Sequence, residues 1–231
     1  MSASFGCTLI VAAAADLMPL EKRLVLPGCR VRYTFGSSGM LAQQIRHGAE
    51  FDLYLSANEQ YVDELIRAGG AHASSKVIYA QGRIGLWSAK NLALSDLPSL
   101  RALAMANPAH APYGQAAKEA LEQQGLWSRV ANRMVFGENV RQALRFAETG
   151  NADAAIVAWS LVKDKGGQLL PAEWHKPILQ TAAIPVRSRN REAAQKLLTF
   201  LLSPAGQRVL AQSGFFPAPT APQSRSASPV R

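Results

Sequence analysis

Short apolar segments rich in branched and aromatic side chains alternate along this chain with segments whose apolar residues recur at helical spacing. This alternation is typical of β-α-β units, in which parallel strands are joined by helices that cover the sheet. The pattern predicts strands over residues 9–13, 31–35, 53–55, 77–79, 84–87, 103–106, 134–136 and 154–158. It predicts helices that begin near residues 17, 39, 60, 115, 140, 191 and 205. We therefore expect an α/β fold with mainly parallel sheets flanked by helices.

Glycine and proline mark the ends of several predicted helices. Gly48, Gly69, Gly125 and Gly150 each follow the last apolar residue of a helical pattern. Glycine is common at this place because it adopts left-handed backbone angles without a steric cost. The pair Ser203-Pro204 fits a capping serine followed by proline at the first helical position.

The composition excludes several classes of protein. Of the 231 residues, 48% are apolar and 18% are charged, which is typical of globular proteins and not of disordered chains, collagen or coiled coils. No segment holds the roughly 18 apolar residues that a membrane span requires. The 25 basic and 16 acidic residues give a net charge of +9. The basic residues are scattered and only 7% of residues are aromatic, so we expect no nucleic-acid partner.

The beginning of the chain bears on its cellular compartment. Residues 1–6 lead directly into the first predicted strand. A secretory signal needs a basic start, an apolar stretch and a cleavage site ahead of the fold, and there is no room for these. We expect either a cytosolic protein or a mature form from which the signal has been removed.

Two cysteines are too few for a disulfide-rich scaffold or a four-cysteine zinc site. Cys7 and Cys29 stand just before the first and the second predicted strands. If these strands are parallel neighbours, the two sulfur atoms meet at one edge of the sheet. A disulfide, which would favour an oxidising compartment, and a pair of buried thiols are two hypotheses that stay open.

The order of the predicted elements indicates two lobes. Residues 1–81 form one α/β unit, to which residues 183–216 return, and residues 82–182 form the second. Two crossings between lobes make a hinge, and the cleft between hinged lobes is the usual place for a ligand. Residues 217–231 are rich in proline and serine, and we expect this tail to be disordered.

Three junctions from a predicted strand to a predicted helix share one chemical pattern. They lie at residues 12–16, 35–39 and 107–114, and each brings small residues to the start of a helix. A helix N-terminus carries a partial positive charge and unpaired N–H groups, and small residues let an anion approach them closely. Gly36-Ser-Ser-Gly39 adds two hydroxyl donors. Three such junctions in one chain predict a site for an anion.

The same segments resemble a known family, the molybdate-binding component of ABC transporters. The resemblance is carried by Phe35-Gly-Ser-Ser-Gly-Met-Leu-Ala-Gln-Gln-Ile45, by Asn107-Pro108 with Ala111-Pro-Tyr-Gly114, and by Glu138-Asn-Val140 with Gly150-Asn-Ala-Asp-Ala-Ala-Ile-Val157. It covers about residues 8–216 in the expected order. The resemblance implies a type II periplasmic-binding-protein fold whose two lobes close on a tetrahedral oxyanion. It also implies a periplasmic monomer that delivers molybdate or tungstate to a membrane permease and carries no cofactor.

The family's ligand-binding positions correspond here to Ala15, Asp16, Ser38, Tyr113 and Val140. The resemblance implies a hydroxyl and a backbone N–H from Ser38, and a backbone N–H from Val140. No side chain is expected to bind the metal atom directly, because molybdenum arrives as its oxyanion. Family members commonly carry serine where this chain has Asp16, and a carboxylate would repel a dianion. We expect this side chain to cap the following helix or to turn away, leaving a backbone N–H for the ligand.

Three alternatives remain at this stage. The first is a binding protein of the same fold for another oxyanion, such as sulfate or phosphate. The second is a sensor domain, although no DNA-binding segment is evident. The third is a small hydrolase that pairs Ser38 with one of the four histidines, His47, His72, His110 or His175. No Gly-x-Ser-x-Gly motif supports it, and Asp52 and Asp153 have the positions of loop-ordering residues, so we expect no enzyme.

Overall fold

The computed structural model describes residues 6–90 and 92–219. Within these ranges, ten strands form two five-stranded sheets, β2-β1-β3-β10-β4 and β7-β6-β8-β5-β9. The strands are β1 Cys7–Ala14, β2 Cys29–Gly36, β3 Leu53–Ser56, β4 Val77–Gly82, β5 Ile84–Trp87, β6 Leu103–Ala106, β7 Met134–Gly137, β8 Ala154–Ala158, β9 Gln168–Leu169 and β10 Ile178–Ala183. All eight predicted strands are present, which confirms the α/β class.

Both sheets are mixed rather than mainly parallel. In the first sheet β1 pairs in parallel with β2 and β3, whereas β10 runs antiparallel between β3 and β4. In the second sheet β6 pairs in parallel with β7 and β8, whereas β5 runs antiparallel to β8 and β9. The antiparallel strands are those at which the chain crosses between sheets, and this reversal is invisible to local periodicity.

Eight α-helices cover the sheets within the described residues. They are α1 Ser38–Arg46, α2 Glu59–Arg67, α3 Pro112–Gln123, α4 Trp127–Val130, α5 Val140–Glu148, α6 Trp159–Val162, α7 Arg191–Leu202 and α8 Pro204–Gln212. The helix predicted near residue 17 is a 3-10 helix, Ala15–Leu20.

The predicted helix ends are confirmed. The four glycines named above all have positive φ angles, between 65° and 97°. Ser203 caps α8 by accepting a hydrogen bond from the N–H of Gly206, and Pro204 is the first residue of that helix. Asp52 and Asp153 order loops, as predicted, by accepting hydrogen bonds from backbone N–H groups such as those of Ile10 and Ala102.

The chain crosses between the two sheets at neighbouring positions. β4 ends at Gly82 and β5 begins at Ile84, so one residue separates the sheets at the first crossing. The chain returns with β10, which begins at Ile178, earlier than the return we predicted at residue 183. The assignment of residues 1–81 with 183–216 and of residues 82–182 to separate lobes stays a prediction.

Each sheet has its own hydrophobic core, and the two cores meet at the cleft. In the first lobe, residues of β1, β3, β10, α7 and α8 form one apolar cluster, and α1 and α2 form a second with the same three strands. The core of the second lobe gathers β5, β6, β8, α3 and α5, and it also includes Ala14, Ala15 and Ala57 from the first lobe. The two lobes are therefore packed against each other in a closed arrangement.

Cys7 and Cys29 form a disulfide, with their Cα atoms 4.7 Å apart. The two residues are register partners at the start of the parallel strands β1 and β2. Of the two hypotheses left open by the sequence, the structure therefore selects the disulfide.

The end of the described chain lies at the hinge. Phe216 pairs with Gln81 in β4, and the predicted disordered tail, residues 217–231, falls outside the described residues from position 220 onward. Among the helices of the described chain, none combines the length and the apolar character that crossing a bilayer would require.

Candidate functional site

One hollow between the lobes brings the three predicted junctions together. It is lined by Ala14, Ala15, Asp16, Gly36, Ser37, Ser38, Ala57, Ala111, Pro112, Tyr113, Asn139 and Val140. All five residues that the sequence predicted for the site are in this set. Their role in binding a ligand stays a prediction, but the structure places them around a common space.

The backbone N–H groups at the hollow come from the starts of three helices. α1 begins at Ser38 after β2, α3 begins at Pro112 after β6, and α5 begins at Val140 after β7. The N–H groups in the first turn of a helix have no carbonyl partner within the helix, and the helix dipole adds partial positive charge there. Three such ends at one hollow create a place for an anion.

Local sequence fixes these helix starts. Asn139 caps α5, and its side-chain oxygen accepts hydrogen bonds from the N–H groups of Arg141 and Gln142. The N–H of Val140 is not bonded to this cap. Proline at the first position of α3 suits the helix because the missing N–H has no partner there in any case. Gly114 lets α3 pack directly against the end of β6, since a Cβ atom would overlap the Ala106 carbonyl.

Ser38 is fully buried, and its hydroxyl proton remains available. The Oγ atom accepts a hydrogen bond from the N–H of Ala57 at 2.9 Å. The Ser38 carbonyl accepts from the Tyr54 hydroxyl at 2.7 Å, which fixes the backbone of this turn. A serine hydroxyl can donate as well as accept, so Ser38 can offer its O–H and its N–H to one ligand.

Asp16 is fully buried in the floor of the hollow. Its Oδ2 atom accepts hydrogen bonds from the Tyr113 hydroxyl and from Nε2 of Gln180, each at 2.8 Å. Burial raises the pKa of Asp16 from 3.8 to about 6, although the hydrogen bonds from Tyr113 and Gln180 and the nearby backbone amides of Asp16 and Leu17 act to lower it. We expected this side chain to cap a helix or turn away; it instead bonds to Tyr113 across the cleft.

Further hydrogen bonds join the lobes beside the hollow. The N–H of Gly39 donates to the His110 carbonyl at 3.0 Å, and the Ser37 hydroxyl lies 2.9 Å from Nδ1 of His110. The Ser160 hydroxyl donates to the Asp16 carbonyl at 2.7 Å. These contacts are made only when the lobes are together, so the hollow belongs to the closed form.

Several residues of this site were missed by sequence reasoning. Asn139 follows the common pattern of a helix cap, which could have signalled its place. Gln180 and Ser160 carry no local signal, because their contacts with Asp16 span 164 and 144 residues of sequence. Only the folded arrangement of the hinge strand β10 and of α6 brings these side chains to the cleft.

The hollow is lined by uncharged groups and one carboxyl group, that of Asp16, so an anion there would be held by neutral donors. No lysine, arginine or histidine is among the residues that line it. Within the described chain, no cluster of three or more histidine, cysteine or acidic side chains could hold a metal ion. The histidine nearest the cleft bonds to Ser37 and not to Ser38, so the serine–histidine pair proposed for a hydrolase does not form. A neighbouring groove carries two acidic side chains, Glu59 and Glu119, and one basic side chain, Lys176, so its charged groups do not favour an anion.

The chain is similar to bacterial proteins that bind solutes outside the cell. A family model described as bacterial extracellular solute-binding protein matches residues 9–216. The molybdate-binding protein ModA of Azotobacter vinelandii is 34% identical over 200 residues, which are 81% of this chain and 79% of that protein. The ModA protein of Rhodobacter capsulatus is also 34% identical, over 81% of this chain and 78% of that protein.

A solved structure supports the same relationship. The periplasmic molybdate-binding protein of Azotobacter vinelandii superposes with a TM-score of 0.85 and 27% identity, over 92% of this chain and 100% of that chain. The two-lobe fold of the periplasmic-binding-protein type, predicted from the sequence, is thereby confirmed, as is the resemblance to molybdate-binding components.

Proposed function

Because the chain belongs to the bacterial extracellular solute-binding protein family, we propose that it binds a tetrahedral oxyanion, molybdate or tungstate, in the cleft between its lobes. One observation carries this proposal: the starts of α1, α3 and α5, with Ser38 among them, line a single hollow at which the described chain places no lysine, arginine or histidine. Ala15, Asp16, Ser38, Tyr113 and Val140 form the proposed binding set.

Neutral donors are sufficient for tight binding of a dianion. A hydrogen bond to a charged partner contributes about 1.5–3 kcal/mol net. Several such bonds, less the costs of closure and desolvation, reach the roughly −8 to −12 kcal/mol of micromolar to nanomolar affinity. The low dielectric of a closed hollow strengthens each bond. Binding thus requires no arginine, and release requires only that the lobes open.

We further propose that the protein acts outside the cytoplasm as a monomer that hands the oxyanion to the permease of an ABC transporter. The relatives named above support this role, and the disulfide between Cys7 and Cys29 suits an oxidising compartment. The protein uses no cofactor, catalyses no reaction and binds no nucleic acid in this role.

A second candidate is the same protein with phosphate or sulfate as its ligand. The Asp16 carboxylate favours phosphate in one respect, since an ionised carboxylate can accept the proton that hydrogen phosphate still carries. Sulfate presents four oxygens like molybdate, so only the size of the hollow separates these two ions.

A thermal unfolding panel tests the proposal. We expect molybdate and tungstate, each at about 100 times the dissociation constant, to stabilise the native state by about 2.7 kcal/mol, because a ligand that binds only the folded state raises its stability. Sulfate, phosphate and chromate at the same concentration serve as comparison ions. Titration calorimetry then gives the affinity. A panel in which no oxyanion shifts the unfolding temperature would contradict the proposal.

A further inference from the structure

One atom at the cleft has no partner among the described residues, the Oδ1 atom of Asp16. Its residue is fully buried and lines the hollow. A buried polar atom without a partner is costly, and a hydrogen bond to a ligand would remove that cost. The two oxygens of this carboxyl group therefore differ, since only Oδ2 has partners.

The Oδ2 atom already accepts two hydrogen bonds, from the Tyr113 hydroxyl and from Nε2 of Gln180. The orientation of the Gln180 amide is fixed in turn, because the Tyr79 hydroxyl donates to its Oε1 atom. An oxygen that accepts two donors has the role of a carbonyl oxygen. If the carboxyl group takes up a proton, that proton belongs on Oδ1.

Within the part of the chain that the structure describes, the hydrogen-bond partners of the carboxyl group are uncharged, so no cation compensates its ionised form. The titratable groups that face it are Tyr113 on α3 and Tyr79 on β4, and burial raises the pKa of both well above the ordinary value, so both stay neutral. The other elements packed against it contribute uncharged groups, which are Ala14 on β1, Gly36 on β2, Val140 on α5, Ser160 on α6 and Gln180 on β10.

We propose, building on the proposed function, that Asp16 binds one proton from solvent with each oxyanion and donates it from Oδ1 to an oxygen of the ligand. The structure thus converts a repelling carboxylate into an O–H donor, and the loss of the family's serine hydroxyl at this position is offset. A dianion beside the carboxyl group further favours the protonated form, because like charges disfavour ionisation. Burial, which already raises the pKa of Asp16 to about 6, acts in the same direction.

Proton uptake predicts a pH-dependent affinity. Between about pH 6.5 and pH 8.5 the free carboxyl group is ionised and must gain a proton on binding, so the association constant of molybdate falls about tenfold per pH unit. Titration calorimetry of the full chain in two buffers of different ionisation enthalpy measures the protons taken up, and we expect about one per molybdate at about pH 8.

Asp16→Asn is the matched variant. Its carbonyl oxygen keeps the hydrogen bonds from Tyr113 and Gln180, and its NH₂ group is a permanent donor in place of the O–H. We expect this variant to bind molybdate with an affinity that is constant across the same pH range and with no proton uptake. Tyr113→Phe provides a second test that keeps Asp16 in place. It removes a hydrogen bond that lowers the pKa of Asp16, so the decline in affinity should begin at a higher pH.

The outcomes separate the two proposals. Binding of molybdate by the wild-type chain without proton uptake, or an equal pH dependence in Asp16→Asn, overturns the role of Asp16 and leaves the oxyanion function standing. Phosphate bound in preference to molybdate by the wild type, with the preference reversed in Asp16→Asn, also overturns it, because the carboxylate then acts as an acceptor. If no oxyanion binds at any pH, the proposed function itself fails, and the inference fails with it.

Discussion

At the scale of single residues, the site depends on the hydrogen-bonding atoms that have no partner within the protein. The Oγ atom of Ser38 accepts a hydrogen bond from the N–H of Ala57, and its own proton is available to a ligand. The Oδ2 atom of Asp16 accepts hydrogen bonds from Tyr113 and Gln180, whereas Oδ1 has no partner among the described residues. Both residues line one hollow between the lobes, and hydrogen bonds made away from water contribute more than those at the surface.

Ser38→Ala tests the hydroxyl donor. We expect the affinity for molybdate to weaken by about 1–3 kcal/mol, because a donor to a charged ligand is lost. The measurement is titration calorimetry, with Ser99→Ala as the control, since Ser99 is exposed in the second lobe. The substitution also removes the acceptor of the Ala57 N–H, so chemical unfolding of the free variant should accompany it. An unchanged affinity would remove Ser38 from the binding set.

Asp16 also makes stability depend on pH. Its pKa is raised from 3.8 to about 6 in the folded chain, so between these values the folded state binds more protons than the unfolded state. The free energy of unfolding therefore falls as the pH rises through this window, by an amount that corresponds to about 3 kcal/mol. The Asp16→Asn variant has no ionisable group at this position, so its free energy of unfolding does not fall for this reason.

We expect the Asp16→Asn variant to be more stable than the wild type at about pH 7.5, with a difference that closes below about pH 4. Urea unfolding of the ligand-free proteins across this range provides the comparison, and subtraction of the two curves cancels the contributions of the other titrating groups. A difference that stays constant with pH would mean that Asp16 has the same pKa in both states.

At the scale of elements, local pattern predicted most of the structure. The strands over residues 84–87, 103–106 and 154–158 have the predicted bounds, and the helices at Val140 and Arg191 begin at the predicted residues. β10 and β9 were missed. β10 begins with a short apolar pair directly after Pro177, and β9 has only two residues. Both are defined by pairing with distant strands, which no local periodicity records.

The disulfide between β1 and β2 is a prediction at this scale. Removing it by the double substitution Cys7→Ser and Cys29→Ser should lower the free energy of unfolding by about 2–4 kcal/mol, because the unfolded chain regains conformational freedom. Oxyanion affinity should stay unchanged, since β1 carries the chain about 23 Å from Cys7 to the cleft. Wild-type protein treated with a thiol reductant is the control, and it should match the variant. Equal stability with and without the bridge would contradict this expectation.

At the scale of the whole molecule, the two lobes are separate cores joined by closely spaced crossings. The first crossing is one residue long, and β10 brings the chain back beside β4. Such an arrangement permits rotation of the lobes with little disturbance of either core. The contacts between the lobes include hydrogen bonds around the proposed site and apolar packing of Ala14, Ala15 and Ala57 against the second lobe. A ligand that adds bonds to both lobes would favour closure.

Gly39→Ala tests closure. A Cβ atom at this position would lie 2.9 Å from the His110 carbonyl and 2.9 Å from the Tyr61 ring. The closed form should lose about 1–3 kcal/mol from overpacking, and affinity should fall accordingly, whereas alanine is well tolerated in the helix itself. Calorimetry gives the affinity, and small-angle X-ray scattering gives the ligand-induced change in radius of gyration.

Met40→Ala is the control for closure, since Met40 follows in the same helix and is 37% exposed. It should bind and close like the wild type. If Gly39→Ala binds molybdate as tightly as Met40→Ala, the contact between Gly39 and His110 contributes nothing to closure.

The sequence by itself determined the α/β class, the eight principal strands, the helix ends and the small-residue junctions from which an anion site was predicted. These depend on periodicity and on backbone preferences of residues close in the chain, which a sequence records directly. Only the tertiary structure decided that the junctions share one hollow, that Asp16 meets Tyr113 and Gln180, and that Cys7 bonds to Cys29. These contacts join residues from 22 to 164 positions apart. Their geometry depends on the packing of whole lobes, which no local pattern encodes.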